Sequence, residues 1–177
     1  MSVFVTIADF KNVGNYKIPT DKFTTEDLQY YIDFCEKKYL INLLGADFYK
    51  SFLADYTDAN PTANKFTEDK YKAIYNPILE DDNCEIVESE GIKIMLCKFI
   101  YYEYSRDNDV KQNIGGNHTN KQSNSDNVEN QTTNLNTVYN QAIDSYNAIQ
   151  YYIDCFNPEK YNYSDFNGVQ KLHNSII

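Results

Sequence analysis

Apolar side chains recur at three- and four-residue steps in three separate stretches, and this periodicity constrains the fold more than any other feature. In the first stretch Leu28, Tyr31, Ile32, Cys35, Tyr39, Leu40, Leu43 and Leu44 share one helical face. Thr24 or Thr25 can cap its start, Glu26 and Asp27 suit the dipole in its first turn, and Gly45 is a natural stop. The second stretch, about 89–108, carries Ile92, Met95, Leu96, Phe99, Ile100 and Tyr102 to Tyr104 and leaves few polar faces, so it is expected to be the central core helix. The third, 126–156, places Leu135, Val138, Ala142, Ile143, Tyr146, Ile149 and Ile153 in register and stops at Asn157-Pro158. At 1.5 Å per residue it is about 46 Å long, longer than such a domain is wide, so its polar N-terminal half is expected to project. The fold class is therefore mainly α, a helical bundle with a long C-terminal helix.

Shorter signals fill the gaps. Ala46 to Tyr56 reads as a short helix with Phe48, Phe52 and Leu53 inward, ended by a polar stretch at 57–65 that contains Pro61. Thr67 is placed to cap a further helix, roughly 68–76, which ends ahead of Pro77. Glu80, Asp81, Asp82, Glu85, Glu88 and Glu90 follow with no base among them. A calcium loop counted from Asp81 would need Gly and Glu where Ile86 and Ile92 stand, so the segment reads as a solvated acidic loop. Residues 110–125 hold Gly115 and Gly116 among Asn and Gln and read as a polar loop or hairpin.

At 177 residues the chain has the size of one domain. The reading divides it into an extended N-terminal arm at 1–23, a helical domain at 24–156 and a C-terminal tail at 157–177. Val3 to Ile7 are β-branched or aromatic, so the arm could include a short strand. In the tail Tyr161, Tyr163 and Phe166 follow a helix stop and lack any periodicity. They are the candidate interface residues, expected to pack on a partner, since aromatic side chains are favoured at interface centres.

Composition limits the function. Sixteen Lys and Arg against 26 Asp and Glu leave a formal charge of -10, which opposes any grip on a phosphate backbone. No run of 18 apolar residues is present, and Met1 to Phe10 lacks a basic region followed by an apolar one, so the expectation is a soluble protein that is not exported. Cys35, Cys84, Cys97 and Cys155 are too far apart for a CxxC pair, and Cys35 and Cys97 fall on apolar helix faces, where thiols act as small hydrophobes. His118 and His173 have no ligand-type neighbours at metal spacing. Gly115-Gly116 is followed by Asn117 and His118, which is not a phosphate loop, and no GxSxG elbow occurs. The expectation is a protein that is not an enzyme and that takes no cofactor and no metal. The 15 Lys against one Arg, and 22 Asn, follow AT-rich codon usage.

Three pieces of sequence carry a resemblance: LQYYIDFCEKKYLINLLGADFYKSF at 28–52, GIKIMLCKFIYYEYSRDN at 91–108 and YNQAIDSYNAIQYYI at 139–153. In this order, with a polar Gly/Asn/Ser link between the last two, they resemble the head-tail connector (adaptor) proteins of tailed bacteriophages, in particular the crAss-like group. The resemblance covers roughly residues 25–155. It implies a structural virion protein at the head-tail junction, assembled in the host cytoplasm. It also implies a homo-oligomeric ring, commonly dodecameric, docked on the portal protein and followed by the next tail or ring protein. Genomic DNA would pass through without specific binding, no membrane would be involved, and a negative channel would suit sliding phosphates.

Two other classes fit the same sequence. An acidic DNA mimic, or a helical interaction protein inhibiting a nucleic-acid enzyme, would use the acids at 80–90, although Lys70, Lys72, Lys93 and Lys98 are interleaved nearby. A small hydrolase would need two or more acids gathered in one deep pocket.

Overall fold

The Thr24 hydroxyl accepts a hydrogen bond from Asp27 N, which satisfies one of the donors left open at a helix start. The helix it caps, α2, runs Thr25–Leu44 and ends where the Gly45 amide reaches the Ile41 carbonyl. In the computed structural model, residues 4–12, 18, 24–56, 66–82, 85–114 and 125–156 are described. In chain order they form α1 (Asp9–Asn12), α2, α3 (Ala46–Asp55), α4 (Asp69–Tyr75), strands β1 (Ile78–Asp82) and β2 (Glu85–Ser89), α5 (Gly91–Ile114) and α6 (Ser125–Tyr151). A π-helical segment, Tyr152–Phe156, continues α6. The protein is mainly α, as its periodicity predicts, with one small antiparallel sheet.

The three periodic stretches make the core. α5 packs against both α2 and α6 and is the central helix. Ile92, Met95, Leu96, Cys97, Phe99 and Ile100 are all buried along it. Cys35 joins them from α2, so both of these thiols are buried as expected, and burial pushes the Cys97 thiol up to about 12. On α6 full burial begins at Ala142, and Asn134 to Asn140 are half-buried or exposed.

Leu53, expected inward on α3, is exposed, whereas Phe52 is buried, and four larger features also differ from the sequence reading. Residues 1–23 were expected as an arm, yet Phe4, Val5, Phe10 and Ile18 are buried in the core. The Phe4 and Val5 amides both donate to Oε1 of the buried Glu36, at 3.0 and 2.8 Å. Phe4 enters an aromatic cluster, its ring 5.1 Å from Phe52, 4.8 Å from Tyr56 and 6.1 Å from Phe66. Lys93 of α5 pairs with Asp9 of α1 at 2.8 Å. A carboxylate that accepts two buried amides replaces a missing strand partner for Phe4 and Val5, and α1 follows at Asp9–Asn12.

The second difference is at Thr67, which does not cap α4. Asp55, at the end of α3, accepts from the amides of Thr67 and Glu68 and from the Thr67 hydroxyl, so the cap crosses from one helix to the next. Third, the acidic stretch is a hairpin, paired from Ile78↔Ser89 to Asp82↔Glu85. It forms because Ile78 and Val87 lie on one face and are buried, while Ser89 bonds to Ser145 of α6. Fourth, the link expected over 110–125 is helical at both borders, since α5 continues to Ile114 and α6 begins at Ser125. No Pro or Gly interrupts 108–114 to stop the helix earlier. Gly115 and Gly116 lie outside the described residues.

Gly91 joins the hairpin to α5 with φ +83°, and a Cβ there would stand 2.5 Å from the Tyr75 carbonyl oxygen. Only glycine fits this close approach.

Candidate functional site

Two regions gather ionisable and aromatic side chains. The first is the seam between α2 and α5. Glu103 is almost wholly buried there and accepts from Lys38 Nζ and Tyr39 OH, both at 2.8 Å, and from Arg106 Nη2 at 2.6 Å. The Tyr39 ring stacks on Phe99 at 3.8 Å, which fixes the hydroxyl over the carboxylate. One turn on, Tyr31 OH donates to Asp107 Oδ2 at 2.9 Å, and Arg106 Nε and Nη2 reach the same carboxylate. Burial, then the Glu103 charge, pushes the Tyr39 hydroxyl far above the ordinary tyrosine range. Burial and the Asp107 hydrogen bond push Tyr31 up to about 12. Arg106 is the chain's single arginine, and Asp107 and Glu103 raise it further against the opposing effect of burial.

Such phenols are held protonated as donors and are poor bases. Glu103, with three donors converging on it, is spent as an acceptor. The seam is therefore a clamp between two helices, in which each buried polar group has the partner that burial demands.

The second region is the hairpin with the adjoining face of α6. On the hairpin's outward side Leu79 and Ile86 are diagonal neighbours, 74% and 71% exposed, with Asp81 and Glu88 on the opposite diagonal. Beside β2 a shallow groove of about 500 Å³ is lined by Ile86, Val87, Glu88, Asn147, Ala148 and Tyr151. Positions 144, 147, 148 and 151 recur at helical steps, so Asp144, which is exposed, continues the same face of α6. A third, smaller feature lies on α2, where the exposed Tyr30 and Phe34 rings stack at 6.3 Å and Lys38 Nζ lies 5.4 Å from the Phe34 centroid.

The candidate interface residues Tyr161, Tyr163 and Phe166 lie outside the described residues, as do Cys84, His118, His173 and the stop at Asn157-Pro158. Among the described residues no group of three His, Cys, Asp or Glu side chains is placed to hold a metal ion. Among them, too, no helix is long and apolar enough to cross a membrane. The seam is hidden in the sequence because Lys38, Glu103 and Arg106 look like solvated positions when single helices are read alone. The signal that could have found it is the lone Arg106 one turn from Glu103 on the most apolar helix. The acidic hairpin was marked by its charge, but its exposed aliphatics were not.

The chain matches no family model, no curated protein and no solved structure.

Proposed function

We propose that this protein is a structural component of a tailed-phage virion, a ring-forming head-tail connector that docks on a portal protein and continues the DNA channel towards the tail. The observation that carries this reading is the coincidence of three sequence stretches with three packed helices. The pieces that resemble connectors, 28–52, 91–108 and 139–153, lie on α2 with α3, α5 and α6, the helices around which the core is built. The mainly α fold agrees with such an adaptor. A subunit of a ring must also offer contact surface, and Tyr30 with Phe34 on α2 supplies large exposed side chains for it. In this reading the protein is not an enzyme, and DNA passes it without specific binding because its net charge is -10.

The test is assembly. Mass photometry and negative-stain electron microscopy of the purified full chain, alone and mixed with a tailed-phage portal protein, should show closed rings, with twelve copies as the expected number. A strict monomer that binds neither itself nor the portal would overturn the reading. Truncation before Pro158 should abolish ring formation or portal binding while leaving circular dichroism unchanged, which assigns assembly to Tyr161, Tyr163 and Phe166.

A further inference from the structure

The entire net charge of the chain resides in two segments that the fold sets side by side. Residues 78–90, the hairpin with Glu90, hold six acids, and 125–156, α6 with its π-helical end, hold Asp126, Glu129, Asp144 and Asp154. Neither segment contains a Lys, Arg or His. The other sixteen acids stand elsewhere, against all 16 Lys and Arg, so the rest of the chain is neutral and these two segments carry the whole of the -10. β2 packs against α6, and Ser89 Oγ lies 2.6 Å from Ser145 Oγ, which sets the hairpin beside the part of α6 around Asp144. The Lys98 ammonium pairs with Glu90, the residue that follows β2.

This face is not uniformly polar. At its centre Ile86, Ala148 and Tyr151 line the groove, and Leu79 extends the apolar area beyond it. Carboxylates surround them: Asp81 and Glu88 on the hairpin, Asp144 on α6 and Asp154 on the π-helical segment that continues it, all exposed. An apolar centre within a charged rim is the layout of a protein-docking surface, where the centre supplies affinity and the rim supplies orientation and rate.

We infer that the hairpin–α6 face is a docking site for a basic segment of another protein, one that presents a large aliphatic or aromatic side chain between lysines or arginines. Charge decides the occupant. A second copy docked through this same face would set like charge against like, and duplex DNA would be repelled by it. Only a cationic partner gains both from the rim and from the groove. The inference is independent of the connector reading, because it concerns what this face binds, whereas that reading is decided by ring formation.

Two synthetic heptapeptides of equal charge test it: alternating Lys and Leu, and the same peptide with Ser in place of each Leu. Binding is followed by calorimetry at near-physiological salt, and the contact is mapped by amide chemical shifts. The expected result is at least about tenfold tighter binding of the Leu peptide, with shifts concentrated in 79–88 and 144–154. The double variant Ile86→Ser/Tyr151→Ser, which keeps every charge, should erase that preference. Glu88→Lys, at an exposed position, should weaken both peptides alike. Equal binding of the two peptides by the wild-type protein, retention of the preference in the double variant, or shifts centred on α2 would each overturn the proposal.

Discussion

At the α2–α5 seam Glu103 is shut in by Tyr39, Lys38 and Arg106, whereas on the hairpin Glu88 stands exposed beside Ile86. Both regions mix carboxylates with large apolar side chains, yet they use them in opposite ways. In the seam the aromatic rings are buried and their polar tips are satisfied, so charge helps to specify how two helices meet. On the hairpin–α6 face the aliphatics are exposed and no base of either segment stands among the acids, so charge is directed outward. The same residue classes build a core in one place and a contact surface in the other, and what separates them is whether the carboxylate is enclosed by its partners, as Glu103 is, or stands exposed, as Glu88 does.

The sharpest way to break this comparison is to remove one carboxylate from each region. Glu103→Ala leaves a buried Tyr39 hydroxyl and two cations without their acceptor. Because Lys38 and Arg106 are partly exposed and can rehydrate, the cost should be about 3 kcal/mol, somewhat below that of a fully buried pair. Glu103→Gln keeps an acceptor for Tyr39 and should cost only about 1 kcal/mol. Glu88→Ala, at an exposed position, should change stability by less than about 0.5 kcal/mol. Urea unfolding of the three variants measures all of this. Equal losses for Glu103→Ala and Glu88→Ala would mean that the seam is no clamp.

A smaller effect tests whether a carboxylate outside the seam can also be structural. Asp55 is exposed but accepts from Thr67 and Glu68, and although slight burial opposes it, these hydrogen bonds hold its carboxyl below the usual range. Its folded value is depressed, so between the folded and unfolded values the unfolded chain binds the proton first. The stabilisation is therefore complete above the unfolded carboxylate value, near 3.9, and is lost as pH falls through the folded one. Asp55→Asn should cost about 0.5–1 kcal/mol at pH 6, in the range of a helix cap. The difference from wild type should shrink as pH falls through the folded value and vanish once the native carboxyl is protonated too. Urea midpoints across this pH range would show it, and a difference that persists at low pH would assign the cost to lost packing.

Much of the helical core was legible because each of its faces repeats. Thr24, Leu28 to Leu44 and Gly45 define α2 from cap to stop, and the apolar runs of α5 and α6 needed no tertiary information. The N-terminal stretch was not legible because its order depends on Glu36, a charged residue that only a folded chain reveals as the acceptor for Phe4 and Val5. The hairpin was missed for a different reason. Its aliphatics come as adjacent pairs, Ile78-Leu79 and Ile86-Val87, so one of each pair faces inward and one outward, and no alternation survives to mark a strand. That same adjacency is what leaves Leu79 and Ile86 on the surface.

The smallest expected effect follows from this geometry. Full burial of a Leu or Ile side chain is worth about 1.5–3 kcal/mol, and at 74% and 71% exposure Leu79 and Ile86 retain roughly a quarter of that. Serine has a somewhat lower strand propensity, a further small cost. Leu79→Ser and Ile86→Ser should thus each shift stability by about 0.5 kcal/mol and at most about 1 kcal/mol, with no change in the denaturant slope, since the surface exposed on unfolding hardly changes. What should change is association, because the apolar centre of the acidic face is lost while its charge is kept. A loss above about 1.5 kcal/mol from either substitution would mean that these side chains are covered by the chain's own residues. The hairpin–α6 face would then belong with the seam as part of the core, and the contrast between the two regions would collapse.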